Sequence, residues 1–165
     1  MKKILVLGCG LKRVPHAIHL DINQEVNPDV LWDLTMYPWP FEDSRFKSVI
    51  AEHILEHLWK QGDVEGYFRL FREIWRICKN GARVICEMPY GMNSLAFCDP
   101  GHISFWVPGL FQFLSKKVYK KARETKNMMT QYSIDFDFNI NKRILISSKE
   151  GEPPTILRAE LEVVK

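Results

Sequence analysis

The feature that most constrains this chain is the run Ile4-Leu5-Val6-Leu7 meeting Gly8-Cys9-Gly10. A short, continuously apolar run reads as a strand buried on both faces of a parallel sheet. Two glycines at its carboxyl end let the backbone turn sharply and approach a ligand with no Cβ in the way. Eleven residues after Gly10 a second apolar run closes on Asp21. An acidic residue at that place can accept hydrogen bonds from both hydroxyls of a ribose. Together the two signals point to a nucleoside-bearing ligand. The usual third glycine is absent, and Lys12 stands near its place.

The segment between the two runs is short. A βαβ connection normally takes a dozen or more residues with a helix inside, but only Leu11 to about Ala17 are available, with Pro15 among them. Proline disfavours helix on both sides. The first crossover helix is therefore expected to be missing or shortened. A pyrophosphate site needs the amino end of that helix, whereas a cofactor without phosphate tolerates its loss.

Composition excludes little else. The 165 residues suit a single domain, residues 1–165, with 46% hydrophobic and 26% charged residues as in ordinary globular chains. A net charge of +3 permits nucleic-acid binding without implying it. The four cysteines, Cys9, Cys78, Cys86 and Cys98, show no CxxC pair and no metal spacing, so none is expected in a metal site. No apolar run approaches the ~20 residues of a membrane span. With a strand expected directly after Met1-Lys2-Lys3, no signal peptide is read, and a cytoplasmic, membrane-free protein is the expectation.

Strands are expected at Lys3–Leu7, Ala17–Ile22, Val30–Asp33, Phe46–Glu52 and Ala82–Met88. Two longer ones follow at Tyr132–Ile140, running on towards Ser147, and Thr155–Val164. The apolar stripe Val64, Tyr67, Phe68, Phe71, Ile74, Trp75 and Cys78 predicts a helix over Val64–Cys78, capped by Asp63 and ended by Asn80-Gly81. A second helix is expected from about Val107 to Lys120, and a short one from near His53. Alternating strands and helices followed by a hairpin around Gly151-Glu152-Pro153-Pro154 give an α/β three-layer sandwich. Its sheet is mostly parallel with a C-terminal antiparallel hairpin. Ligands of such sheets lie beyond the carboxyl ends of the strands. Gly8–Gly10, Asp21, Asp33 and Glu52-His53 converge on that edge.

These residues resemble the class I S-adenosylmethionine-dependent methyltransferases, and among them the small bacterial and phage group like the type 11 methyltransferase domain. The likeness is carried by LGCG (Leu7–Gly10), LDIN (Leu20–Asn23), WDL (Trp32–Leu34), PFED (Pro40–Asp43) and HILEHL (His53–Leu58). REIWRICKNGARV (Arg72–Val84) and DPGH (Asp99–His102) extend it. It covers about two-thirds of the chain, Lys3 to about Leu114. It implies a Rossmann-like fold and S-adenosyl-L-methionine as cofactor. The backbone of Gly8, Cys9 and Gly10 would face the methionine part, Asp21 would hold the ribose, and Ile22 would flank the adenine. Asp33 would accept from the adenine amino group beside Leu34, and Glu52 and His53 would line the methionine or the methyl-transfer face. Three features depart from the group. Lys47 occupies a usually acidic place, Asn80-Gly81-Ala82 replaces Pro-Gly-Gly, and no Asn/Asp-Pro-Pro-aromatic motif follows the fourth strand.

Methyl transfer needs mainly proximity and orientation, and a base only where the acceptor must lose a proton. His102, in a Gly/Pro-bearing loop, and His53, after a ligand-edge strand, are the catalytic candidates. His57 reads as structural. Pro89–Trp106, with Tyr90, His102 and Trp106, is expected to line the acceptor site. The acceptor itself is not readable, and an open cofactor site leaves room for a large acceptor or a second subunit. Two rival readings stand beside this one. His53-Ile-Leu-Glu56-His57 matches the H-x-x-E-H zinc-hydrolase pattern, although its flanks fit the methyltransferase. The basic stretch Lys116–Lys126 reads as a solvated helix face or, in a non-catalytic binding module, as a contact for nucleic acid.

Overall fold

The computed structural model describes residues 2–127 and 132–165. Seven strands form one sheet. They are β1 (Ile4–Leu7), β2 (Ala17–Asp21), β3 (Val30–Leu31), β4 (Phe46–Glu52), β5 (Cys78–Pro89), β6 (Phe138–Ile146) and β7 (Ile156–Val163), in the order β3-β2-β1-β4-β5-β7-β6. The first five are parallel, and β7 pairs antiparallel with both β5 and β6. The expected α/β architecture with a terminal hairpin is present. The chain steps outward from β1 through β2 and β3, then returns to place β4 on the other side of β1. That reversal opens a crevice at the carboxyl ends of β1 and β4.

The first crossover holds no helix, and its polar groups find other partners. His19, buried on β2, accepts from Val14 N at Nε2 (2.9 Å), so its Nδ1 carries the proton and donates to Asp29 Oδ2 (2.9 Å). Arg13 donates to the carbonyls of Gly10 and Val26. Val6, Cys9 and Ala17 form a small apolar cluster with Val14 and Val26 against that face of the sheet. A loop with these anchors does what a helix does elsewhere.

The main core lies on the opposite face, beneath α1 (Val64–Ile77). Asp63 caps α1 by accepting from Gly66 N at 2.9 Å, and Tyr67, Phe68, Leu70, Phe71, Ile74 and Ile77 are buried. Each fully buried apolar side chain contributes roughly 1.5–3 kcal/mol. Glu73, on the same helix and also buried, accepts from Trp39 N (2.6 Å) and Arg76 Nη2 (2.7 Å). Arg76 donates further to the carbonyls of Trp39 and Phe41 and to Asp43. This pair fastens the Pro-rich 37–43 segment to the helix.

Several expected boundaries move. α1 passes straight into β5 at Cys78, so Asn80-Gly81 is not a helix end. Gly81, at φ +73, sits in an irregularity where the β4 partners jump from Phe46↔Cys78 to Ser48↔Arg83. The expected helix over 107–120 splits at Ser115, whose φ of −118° is extended. Pro108–Leu114 is 3₁₀, its buried Phe111 and Leu114 three apart as that helix repeats, and α2 runs Lys116–Glu124. β3 ends at Leu31, which leaves Asp33 in the following turn. β6 lies later than expected, at Phe138–Ile146 rather than from Tyr132.

Two outcomes follow from these anchors. Arg76→Met leaves Glu73 buried without its cation and should cost about 2–4 kcal/mol in urea unfolding. Hydrogen bonds from His19, then Lys2, hold the Asp29 carboxyl down at about 2 against an ordinary 3.8. The stability Asp29 contributes is therefore complete above about pH 4 and lost as pH falls towards 2. Asp29→Asn should flatten that part of the stability–pH curve.

Candidate functional site

A cavity of about 380 Å³ opens at the crevice between β1 and β4, within the usual size range of small-molecule sites. Of the residues singled out from the sequence, Gly8, Gly10, Asp21, Ile22, Asp33, Leu34 and His53 line it. Trp32, Thr35, Ile54, His57 and Leu58 complete the wall. A second, open cavity of about 510 Å³ shares Ile22, Trp32 and Asp33 with the first.

Backbone geometry explains the glycines. Gly8 has φ +58, and a Cβ there would sit 2.6 Å from Ile54 Cγ1 and 2.9 Å from Ile54 Cβ. Gly10 has φ +50 with nothing within 4 Å, so its exposed edge is open to the cavity. Asp21 spans the turn. Its Oδ2 accepts from Gly10 N (2.8 Å) and its Oδ1 from Asn23 N (2.9 Å). A carboxylate offers about four lone-pair positions, so each oxygen keeps one for a ligand. Asp33 Oδ1 accepts from Thr35 N (2.8 Å) and Thr35 Oγ1 (2.7 Å), which leaves Oδ2 unused within its own turn. Ile22 is 66% exposed, an apolar surface of the kind that a flat ring covers.

Three expected cofactor-binding or catalytic residues do not line the cavity. Cys9 is buried, and its N–H donates to Leu20 O at 3.1 Å. Burial and then the charge of Asp21 raise its thiol pKa, which keeps it protonated at neutral pH. Glu52 is paired with Lys12, the residue standing where a third glycine would be. His102 is absent from the cavity wall, its side chain is only 10% exposed, and its Nδ1 contacts Ala96 O at 3.0 Å. Trp106, expected at the acceptor site, is fully buried, its ring packed edge-on against Trp59 and tilted against Phe111.

The two histidines of the HILEH segment are not neighbours on a helix. His53 has φ +52 and lies before the single 3₁₀ turn Leu55–His57, its N–H held by Glu87 O at 2.8 Å. A non-glycine residue in that region stores strain of the kind found at functional sites. The helix that the H-x-x-E-H reading requires is absent. Glu56 stands 3.6 Å from His53 Nδ1 and raises the pKa of that ring. Burial opposes the rise, while the charges of Glu56, Glu87 and Glu52 reinforce it. His57, read as structural, lines the cavity and also contacts Gly101 O through Nδ1 at 2.9 Å. It was missed because nothing in the sequence shows that the turn after β4 folds back under Gly8.

The basic stretch is α2 with its flank. Tyr119 and Ala122 are buried, while Lys116, Lys117, Lys120, Lys121, Arg123 and Lys126 are exposed. Among the described residues no helix is long and apolar enough to cross a membrane.

Gly8→Ala and Gly10→Ala separate two effects. Both force a non-glycine residue to positive φ at about 1–3 kcal/mol, but only Gly8→Ala also collides with Ile54. Urea melts should show Gly8→Ala to be the more destabilised of the two.

No family model matches this chain, and no curated protein matches it either. Solved structures do. A S-adenosylmethionine-dependent methyltransferase from Archaeoglobus fulgidus superposes with a TM-score of 0.59 at 17% identity, over 96% of this chain and 85% of its own. One from Methanosarcina mazei gives 0.57 at 15% identity, over 98% and 92%. The N-methyltransferase NodS of Bradyrhizobium japonicum, in complex with S-adenosyl-L-homocysteine, gives 0.59 at 10% identity, over 98% and 78%. At such identities the likeness is one of fold. The fold of this chain is the Rossmann-like fold of the S-adenosylmethionine-dependent methyltransferases.

Proposed function

We propose that this chain binds S-adenosyl-L-methionine in the cavity at the ends of β1, β2 and β4 and transfers its methyl group to an acceptor. One observation carries the reading. The Gly8–Gly10 turn, the Asp21 carboxylate and the Asp33 carboxylate line a single cavity at the switch point of a methyltransferase fold. In this reading Asp21 accepts from the ribose hydroxyls, already oriented by Gly10 N and Asn23 N. Asp33 accepts from the adenine amino group through its unused oxygen, and Ile22 and Trp32 cover the ring. The open edge of Gly10 takes the methionine part. The helix-free crossover suits a ligand without a pyrophosphate.

The bound cofactor supplies an electrophilic methyl group, and the protein's share is to hold the acceptor in line with it. His53 is half exposed on the cavity wall and is the residue best placed to touch an acceptor. His102 is covered and turned to Ala96, which favours a role in holding structure over proton abstraction. Six exposed basic side chains on and after α2 suit an acidic acceptor, with nucleic acid one such class.

Calorimetry with S-adenosyl-L-homocysteine tests the cofactor assignment. Asp21→Ala removes charge-assisted hydrogen bonds and should weaken binding by about 2–3 kcal/mol. Affinity unchanged in that variant, or tight NAD binding with none for S-adenosylhomocysteine, would reverse the reading.

A further inference from the structure

Beneath the cavity wall, Glu56 presents a problem of charge. Its side chain is 2% exposed, and among the described residues neither carboxylate oxygen has a hydrogen-bond partner. A buried carboxylate in that condition needs a cation. The loop that follows β5 is pinned to the same place, because Ile103 N and Ser104 N both donate to Glu56 O (3.0 and 3.2 Å). That pinning brings His102 over the carboxylate.

His57 and His102, whose rings meet edge-on at 4.8 Å, are oriented alike. A carbonyl oxygen can only accept, so Nδ1 of His57 donates to Gly101 O and Nδ1 of His102 donates to Ala96 O. In the neutral form, the one that binds metals, each ring then has its lone pair on Nε2. For His102 that lone pair faces Glu56 Oε1 at 3.9 Å and Asp99 Oδ2 at 3.8 Å. Three acceptors therefore converge, and among the described residues the one further ring facing Glu56, the half-exposed His53, stands 3.6 Å from Oε1, also too long for a hydrogen bond. Histidines whose second nitrogen is fixed by a backbone carbonyl are the usual arrangement at metal centres. One ligand atom from each of Glu56, His57 and His102 lies within 4.8 Å of the others. Two atoms each about 2.0–2.1 Å from a tetrahedral ion stand roughly 3.4 Å apart, so the side chains would draw inward on loading.

We propose that Glu56, His57 and His102 bind a divalent first-row transition ion, with the Asp99 carboxylate beside them. Two imidazoles and a carboxylate select zinc or its neighbours over calcium and magnesium, which prefer oxygen. Three protein ligands leave a coordination position for water or an acceptor atom. His57 also lines the cavity, so the ion would border the proposed methyl-transfer site. The set differs from H-x-x-E-H zinc hydrolases. Here the glutamate is a ligand, and the distant His102 takes the place that the pattern gives to His53.

The full-length protein, equilibrated with zinc chloride and dialysed, should retain about one zinc per chain. Cobalt(II) chloride should give visible absorption that zinc chloride abolishes. His57→Ala, His102→Ala and the near-isosteric Glu56→Gln should each weaken zinc binding more than about tenfold, with thermal melts reporting their fold. His53→Ala and Asp21→Ala should retain zinc. In wild-type protein, zinc should shift the NMR resonances of the His57 and His102 rings before those of exposed His16. Zinc uptake no greater than in a His57→Ala/His102→Ala double variant would overturn the site, as would loss on His53→Ala but not on His102→Ala. S-adenosylhomocysteine calorimetry on the same preparations keeps the two proposals apart. Zinc bound without the nucleoside leaves the metal site standing, and the nucleoside bound with no zinc removes it.

Discussion

The contact on which the carboxyl edge of this sheet depends is the hydrogen bond from Gly10 N to Asp21 Oδ2, 2.8 Å long. Without a crossover helix, the chain between β1 and β2 is held by side chains, His19 and Arg13 at its far end and Asp21 at the glycine turn. Asp21 ties the far side of the glycine turn to the end of β2, and Cys9 N–H adds a bond to Leu20 O just before it. Both glycines occupy positive φ, and Gly8 lies against Ile54 from the turn after β4. The ladders hold the ends of β1, β2 and β4 together, and one carboxylate and one steric contact fix the glycine turn beyond them. The cavity is the space that those constraints leave open. A carboxylate that shapes a turn while keeping lone pairs towards a cavity serves structure and recognition together.

Two buried glutamates show how differently the same side chain is accommodated. Glu73 is covered by α1 and the 37–43 segment, where two strong donors, Trp39 N and Arg76, neutralise it. Its burial is a structural matter and is locally complete. Glu56 is covered more fully and has no hydrogen-bond partner among the described residues, although the rings of His53 and His102 stand 3.6 and 3.9 Å from Oε1. Low local dielectric makes an unpaired group of this kind expensive. The proposed ion would neutralise it more completely than the half-exposed His53 ring does.

The aromatic residues divide along the same line. Trp59, Tyr67, Phe71, Trp106 and Phe111 pack edge-on or tilted into one cluster beneath the sheet. Trp32 and Tyr37, at the outer side of β2, line open cavities. The 90–106 loop is anchored by a bridge between Tyr90 and Trp106 and by Gly91, where a Cβ would stand 2.9 Å from the Trp106 backbone. That anchoring sends Trp106 inward. The same loop leaves Met92, Leu95 and Phe97 exposed.

The sequence by itself determined the strands at Ile4–Leu7 and Phe46–Glu52, the helix from Val64 and the absence of a first crossover helix. Each follows from short-range physics, namely apolar runs, a 3.6-residue stripe with an Asp cap, and a proline in too short a connection. It also placed Gly8, Gly10, Asp21 and Asp33 on one edge, because parallel strands deliver their carboxyl ends to the same side. Tertiary structure decided what depends on contacts distant in sequence. His102 and Glu56 meet only because the loop after β5 hydrogen-bonds to Glu56 O, forty-six positions away. Asn80-Gly81 becomes a strand irregularity because Cys78 already pairs with Phe46, and Trp106 turns inward because Gly91 fastens its backbone. No local pattern encodes such pairings, since their energies come from partners that only the folded sheet brings together.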